Sequence, residues 1–182
     1  MKRILILTLV TAIMTGCSTQ KSNTIEPYLA LFDQHPGTVV DERILNFANL
    51  YNHLDSNDVA KNTEKTYAEL LYFNDTLVTI KTRRDLINYL VHTQEQLKGI
   101  NFTVLNVMKS EKDFFVQWKM ETIFEVMGQR NEVQTVGITH MKFDEQGKII
   151  LQQDYWDSTS GFFQHIPMLG GILKWIKQNL SS

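Results

Sequence analysis

The chain has 182 residues, 43% hydrophobic and 21% charged, which suits one domain with its own core plus an appendage. Its formal net charge of −2 offers no basic face for nucleic acid. A single cysteine excludes an intrachain disulfide and any metal site built from several cysteines.

Lys2 and Arg3 precede an apolar stretch from Ile4 to Met14, and Thr15, Gly16 and Cys17 follow it. The stretch is too short to span a bilayer but has the length and flanks of a secretory signal. Small residues before a lone cysteine resemble the lipobox of bacterial lipoproteins, with Met14 where leucine is usual. The resemblance implies a signal peptide over 1–16, cleavage before Cys17, and diacylglycerol on its sulfur with further acylation, palmitate included. The expected location is the cell envelope, with the protein lipid-anchored and facing the periplasm. Ser18 follows the lipid site, and for lipoproteins of enteric-type bacteria the resemblance implies that a residue other than aspartate there favours the outer over the inner membrane.

Residues 17–38 are polar, carry Pro27, Pro36 and Gly37, and read as a tether. Tyr28, Leu29, Leu31 and Phe32 are its candidates for docking on the domain, which is expected over 39–182. Ile44, Phe47, Ala48, Tyr51 and Leu54 predict a helix from Asp41 to Leu54, capped by Asp41 or Thr38. A strand over Tyr67–Phe73, a turn at Asn74-Asp75 and an extended piece over Leu77–Ile80 follow. A second helix is expected over Arg83–Leu97, opened by Thr82 and Asp85 and ended by Gly99. The pattern then changes to period two. Strands are expected over Asn101–Met108, Asp113–Met127, Glu132–Phe143 and Lys148–Trp156, joined by short turns as an antiparallel meander. Residues from Gly161 onward read as a broken helical tail with Ile172, Leu173, Trp175, Ile176 and Leu180 on one side. That tail suits a cover for the sheet, a dimer contact or a membrane surface.

Helices on one face of an antiparallel sheet make an α+β domain with a concave face. Several segments carry a family resemblance. They are Gly137-Ile138-Thr139-His140-Met141-Lys142-Phe143-Asp144, Gly147-Lys148-Ile149, Gln153-Asp154-Tyr155-Trp156-Asp157 and Pro167-Met168-Leu169-Gly170. Trp118 with Met120, and Tyr72-Phe73-Asn74-Asp75, add to them. Together they resemble the SnoaL-like branch of the nuclear-transport-factor-2-like (NTF2-like) superfamily. The resemblance implies a cone of curved antiparallel sheet packed against helices. Its members include isomerases, cyclases, epoxide hydrolases, ligand-binding proteins and interaction modules, so the fold alone leaves function open. Relatives often carry His-Arg before this Asp-Tyr-Trp-Asp; here Gln152-Gln153 stands there, without a cation.

Asp154 is the leading catalytic candidate, because a carboxyl in an apolar pocket moves protons near neutral pH. His140 on the adjacent strand is a weaker one. Trp118, Met120, Tyr72, Asp75, Trp156 and Tyr155 are the candidate ligand contacts. Strand alternation leaves open which face of the last strand lines the cone. Asp157, followed by Ser158 and Thr159, reads as a helix cap. No sequence pattern calls for a cofactor or a metal. The favoured function is binding of a small, largely apolar ligand. An enzyme of the isomerase, cyclase or hydrolase type, and a self-assembling module that forms a homodimer, are the alternatives.

Overall fold

The computed structural model describes residues 25–31, 41–126 and 128–163. Cys17, the signal region and the apolar tail beyond Phe163 lie outside them. A short helix α1 (Glu26–Leu29) comes first, and the Gln117 side chain donates to its Tyr28 hydroxyl. Tyr28 therefore docks on the sheet, whereas Leu31 is exposed.

Helix α2 (Glu42–Asn52) starts where Asp41 accepts from the Arg43 backbone N–H at 3.0 Å. It buries Ile44, Phe47 and Leu50. Helix α3 (Val59–Thr66) was not expected from hydrophobic period, and the reason is chemical. Besides Val59 it buries Thr63 and Thr66, whose hydroxyls donate to the carbonyls of Val59 and Asn62 one turn back, each at 2.7 Å. Threonines satisfied in this way are buried without the cost of an unpaired hydroxyl.

Strand β1 (Tyr67–Asn74) turns into β2 (Thr79–Thr82), and α4 (Arg83–Gln96) follows. Thr82 caps α4: its hydroxyl accepts from the Asp85 N–H and donates to the Asp85 carboxylate at 2.6 Å. The helix ends at Gln96, so Gly99 is not its terminator. Gly99 lies in β3 (Leu97–Ser110), beside a register shift opposite Ile123. A glycine inside a strand commonly marks such an irregularity.

Strands β4 (Asp113–Val126), β5 (Gln129–Phe143) and β6 (Ile149–Trp156) complete a six-stranded sheet in the order β2-β1-β6-β5-β4-β3. The meander from β3 to β6 is antiparallel throughout. The expectation of a wholly antiparallel sheet needs one correction. β1 and β6 run parallel, because β1 enters from the helical layer and meets the end of the meander from the same side. The sheet curves around α2, α3 and α4, with a core of Phe47, Leu50, Leu86, Phe102, Val116 and Met141 among others. A four-residue helix α5 (Ser158–Gly161) follows, with Asp157 accepting from the Ser160 N–H at 3.0 Å. Among the described residues no helix is long and apolar enough to cross a membrane.

Candidate functional site

The concave face is made by alternation. Along β4, Phe114, Val116, Trp118, Met120, Thr122 and Phe124 point inward. Across the ladder Trp118 faces Gly137, and Gly137 faces Trp156 on the far side. A methyl group at Gly137 would lie 2.4 Å from the Trp118 ring, so only glycine lets the indole lie over this strand. Under α2 and α4 this leaves a cavity of about 150 Å³. It widens toward α5 into a mouth of about 470 Å³, which shares Leu77, Tyr89, Met120 and Trp156 with it.

Asp154 reaches the cavity wall from β6 and is 5% exposed. Its Oδ1 accepts from the Thr139 hydroxyl at 2.7 Å. Thr139 in turn accepts from the Trp118 indole N–H at 2.9 Å. The Gln152 amide donates to both Asp154 oxygens, at 3.1 and 3.0 Å. The same nitrogen lies 2.8 Å from the Tyr51 hydroxyl, and the Tyr67 hydroxyl donates to the Gln152 carbonyl. Among the described residues every one of these partners is neutral. Burial therefore dominates and pushes Asp154 up to about 7, against the hydrogen bonds from Thr139 and Gln152, with the charge of Asp75 adding to the rise. Burial also holds the Tyr51, Tyr67 and Tyr89 phenols well above their usual range, so all three stay protonated.

Asp75 sits at the cavity rim, just after β1. Its carboxylate accepts from the Leu77 and Val78 N–H groups at 3.0 Å and from the Tyr89 hydroxyl at 2.5 Å. Its backbone carbonyl accepts from the Trp156 indole at 2.7 Å. The structure thus brings Asp154, Asp75, Trp118, Met120 and Trp156 to one cavity.

Three candidates lie elsewhere. Tyr155 is 58% exposed on the outer face of β6, and Tyr72, 40% exposed, donates to Gln153 on that same face at 3.2 Å. Neither lines the cavity, because residues 153 and 155 alternate with the inward Gln152 and Asp154. His140 also points outward, since its neighbour Thr139 points in. It stacks on Phe115 at 4.8 Å and lies 2.5 Å from Asp113. Gln153 bonds Asn74 and Tyr72 and does not touch the Asp154 carboxyl. The side chain that does is Gln152. Sequence reasoning missed Thr139, Gln152, Tyr51, Tyr67 and Tyr89 as parts of the site. Only Thr139 carried a signal, as the third residue of the Gly-x-Thr segment. Among the described residues no group of His, Cys, Asp and Glu could hold a metal ion.

Solved structures similar to this chain share the cone. One is an epoxide hydrolase of the LEH-like type from M. tuberculosis, at TM-score 0.54 and 15% identity, covering 75% of this chain and 90% of that one. A putative SnoaL-like polyketide cyclase from Shewanella denitrificans matches at TM-score 0.56 and 16% identity, covering 65% and 93%. A hypothetical protein with a ketosteroid isomerase-like fold from Catenulispora acidiphila, in complex with trimethylamine, matches at 0.55 and 12%, covering 66% and 88%. These identities establish the fold alone. No curated protein matches the chain. Residues 46–152, from within α2 to the Gln152 that holds Asp154, match the family described as "Uncharacterized conserved protein (DUF2358)". The chain belongs to that family and has the NTF2-like, SnoaL-like α+β fold.

Proposed function

We propose that the domain binds a small, largely apolar molecule in the cone, and that a lipid on Cys17 holds it at the periplasmic face of the cell envelope. The observation that carries the binding reading is the cavity itself. Aromatic and aliphatic side chains line it, and a single buried carboxyl with neutral partners stands on its wall. Concave apolar sites with a few placed polar groups are where small ligands bind. Met120 lines both the cavity and its mouth, so Met120→Trp should plug the passage. Wild-type full-length protein in a neutral detergent should take up an apolar naphthalene fluorophore with enhanced emission. Met120→Trp should lose most of that signal while keeping its circular dichroism spectrum. Equal uptake by both would sink the binding reading.

A second reading is an acid–base enzyme, favoured by one observation: the Asp154 carboxyl is poised near 7 in a site shielded from water. The epoxide hydrolase among the fold neighbours is consistent with it. Asp154→Asn would then abolish turnover of a substrate that the variant still binds.

The anchoring part rests on the sequence around Cys17. Cys17→Ala removes the sulfur that forms the thioether. The variant should take up no labelled palmitate and should leave the membrane pellet after a high-salt wash. Retention in the pellet would refute lipid anchoring through this residue.

A further inference from the structure

The charges around the cavity are one-sided. Among the described residues Asp75 and Asp154 line it and no lysine, arginine or histidine does, while His92 and Glu125 stand at its mouth. Among the described residues seven aromatic side chains line it as well: Phe47, Tyr51, Phe73, Tyr89, Phe102, Trp118 and Trp156. Four of these form a continuous wall. Phe47 and Tyr51 have ring centroids 4.8 Å apart, Tyr51 and Phe102 5.1 Å, and Phe102 and Trp118 5.6 Å. The Phe73 and Tyr89 rings meet at 6.1 Å on the other side.

An uncharged apolar guest would leave this arrangement unanswered. A buried carboxyl without a cation is costly when ionised. An anionic guest would meet two carboxylates in a site of low polarity. A cation with methyl or methylene substituents answers both features. Its charge faces the carboxyl groups and the negative faces of the rings, and its carbon surface fills the apolar volume. We infer that the ligand is a small organic ammonium, a tertiary or quaternary amine carrying short apolar substituents, held between the aromatic wall and the carboxyl groups of Asp154 and Asp75. This rests on the proposed binding function and names the chemical class of its ligand.

The hydrogen bonds suit this role. Both Asp75 carboxylate oxygens are engaged by fixed donors at the rim, so Asp75 acts as a set charge. Asp154 Oδ1 accepts from the Thr139 hydroxyl and from Gln152 Nε2, whereas among the described residues Oδ2 accepts from that same Gln152 nitrogen alone. Oδ2 keeps acceptor capacity for an ammonium N–H or for the polarised methyls of a quaternary centre. The titratable groups around Asp154 are Tyr51 from α2, Tyr67 from β1, Tyr89 from α4 and Asp75, and none of them supplies a positive charge. The guest supplies it.

Charge and shape are separated by two probes of matched size. Choline carries a quaternary nitrogen; in dimethylbutanol a quaternary carbon replaces it. Calorimetric titration of the full-length protein in a neutral maltoside at pH 8 should show choline binding roughly tenfold or more tighter than the alcohol, a difference of at least about 1.4 kcal/mol. Asp154→Asn should remove most of that preference and leave the weak binding of the alcohol. The wild type supplies a second readout that does not depend on a variant folding well. Near pH 6, choline binding should release protons from Asp154, seen as a dependence of the heat on the ionisation enthalpy of the buffer. Equal or tighter binding of the alcohol would overturn the cationic ligand and leave the apolar-ligand reading standing. Choline binding without proton release, or unchanged in Asp154→Asn, would also overturn it. Binding of neither probe, together with no uptake of the apolar fluorophore, would overturn both.

Discussion

Replacing Gly137 by alanine should destabilise the domain by about 3 kcal/mol and break the hydrogen-bond chain that leads to Asp154. The added Cβ would stand 2.4, 2.6 and 2.9 Å from three atoms of the Trp118 six-membered ring and ring junction. These are rigid aromatic atoms, so the clash is not relieved by a flexible tip. The indole is also held in place. Its N–H donates to Thr139 and its face packs on Phe102. Moving it would leave a buried indole donor unpaired and free the Thr139 hydroxyl from its fixed orientation toward Asp154. Urea unfolding of wild type and Gly137→Ala measures the loss. A double variant that also carries Trp118→Leu should recover part of it, because the smaller side chain gives the new methyl room. If Gly137→Ala were as stable as wild type, the indole would not lie where the structure puts it.

Gly137 and Thr139 are two residues of the segment through which the chain resembles the NTF2-like superfamily, and the geometry gives both a physical role. The glycine admits the tryptophan, and the threonine joins that tryptophan to the carboxyl. The long elements were legible for an equally plain reason. In α2 the apolar residues recur at helical spacing, and along β4 they alternate, so sequence and burial agree. Helix α3 was hidden because threonines fill much of its buried face. The inner face of β6 was hidden because its polarity is inverted. Gln152 and Asp154 point in, while Tyr155 and Ile150 are exposed. Hydrophobic pattern would choose the opposite face. The inversion holds because Tyr51, Tyr67 and Thr139, drawn from three other elements, satisfy the buried amide and carboxyl. A bulge adds to it. The ladder steps from Lys142 opposite Leu151 to Phe143 opposite Ile149, which leaves Ile150 unpaired and turns the buried Ile149 inward. Contacts this distant in sequence leave no local trace.

The stability of the domain should fall as pH rises from about 5 to about 8, by around 3 kcal/mol, and Asp154→Asn should abolish that slope. In the folded chain burial raises the Asp154 carboxyl to about 7, whereas its ordinary value is 3.8. Between those two values the folded state holds a proton that the unfolded state has lost. Unfolding therefore releases a proton in this window, and each rise in pH favours it. Above the folded value both states are ionised and the slope vanishes. The carboxyl groups of Asp41, Asp113 and Glu121 behave in the opposite sense. Hydrogen bonds and positive neighbours hold them below their ordinary values, so their effect belongs to more acidic pH. Whatever the other groups contribute is common to wild type and variant and cancels in the difference. Asparagine keeps the shape of the side chain and can still accept from Thr139. Its amide faces the Gln152 amide donor to donor, which costs a constant amount at every pH and shifts the curve without tilting it. Urea unfolding of both full-length proteins across this pH range, in one neutral detergent, gives the two curves. Their difference should tilt by about 1.4 kcal/mol per pH unit below the folded value and flatten above it. Parallel curves would mean that the Asp154 carboxyl is already ionised at acidic pH. Its neutral, buried state, on which both the acid–base reading and the proton release on ammonium binding depend, would then be wrong.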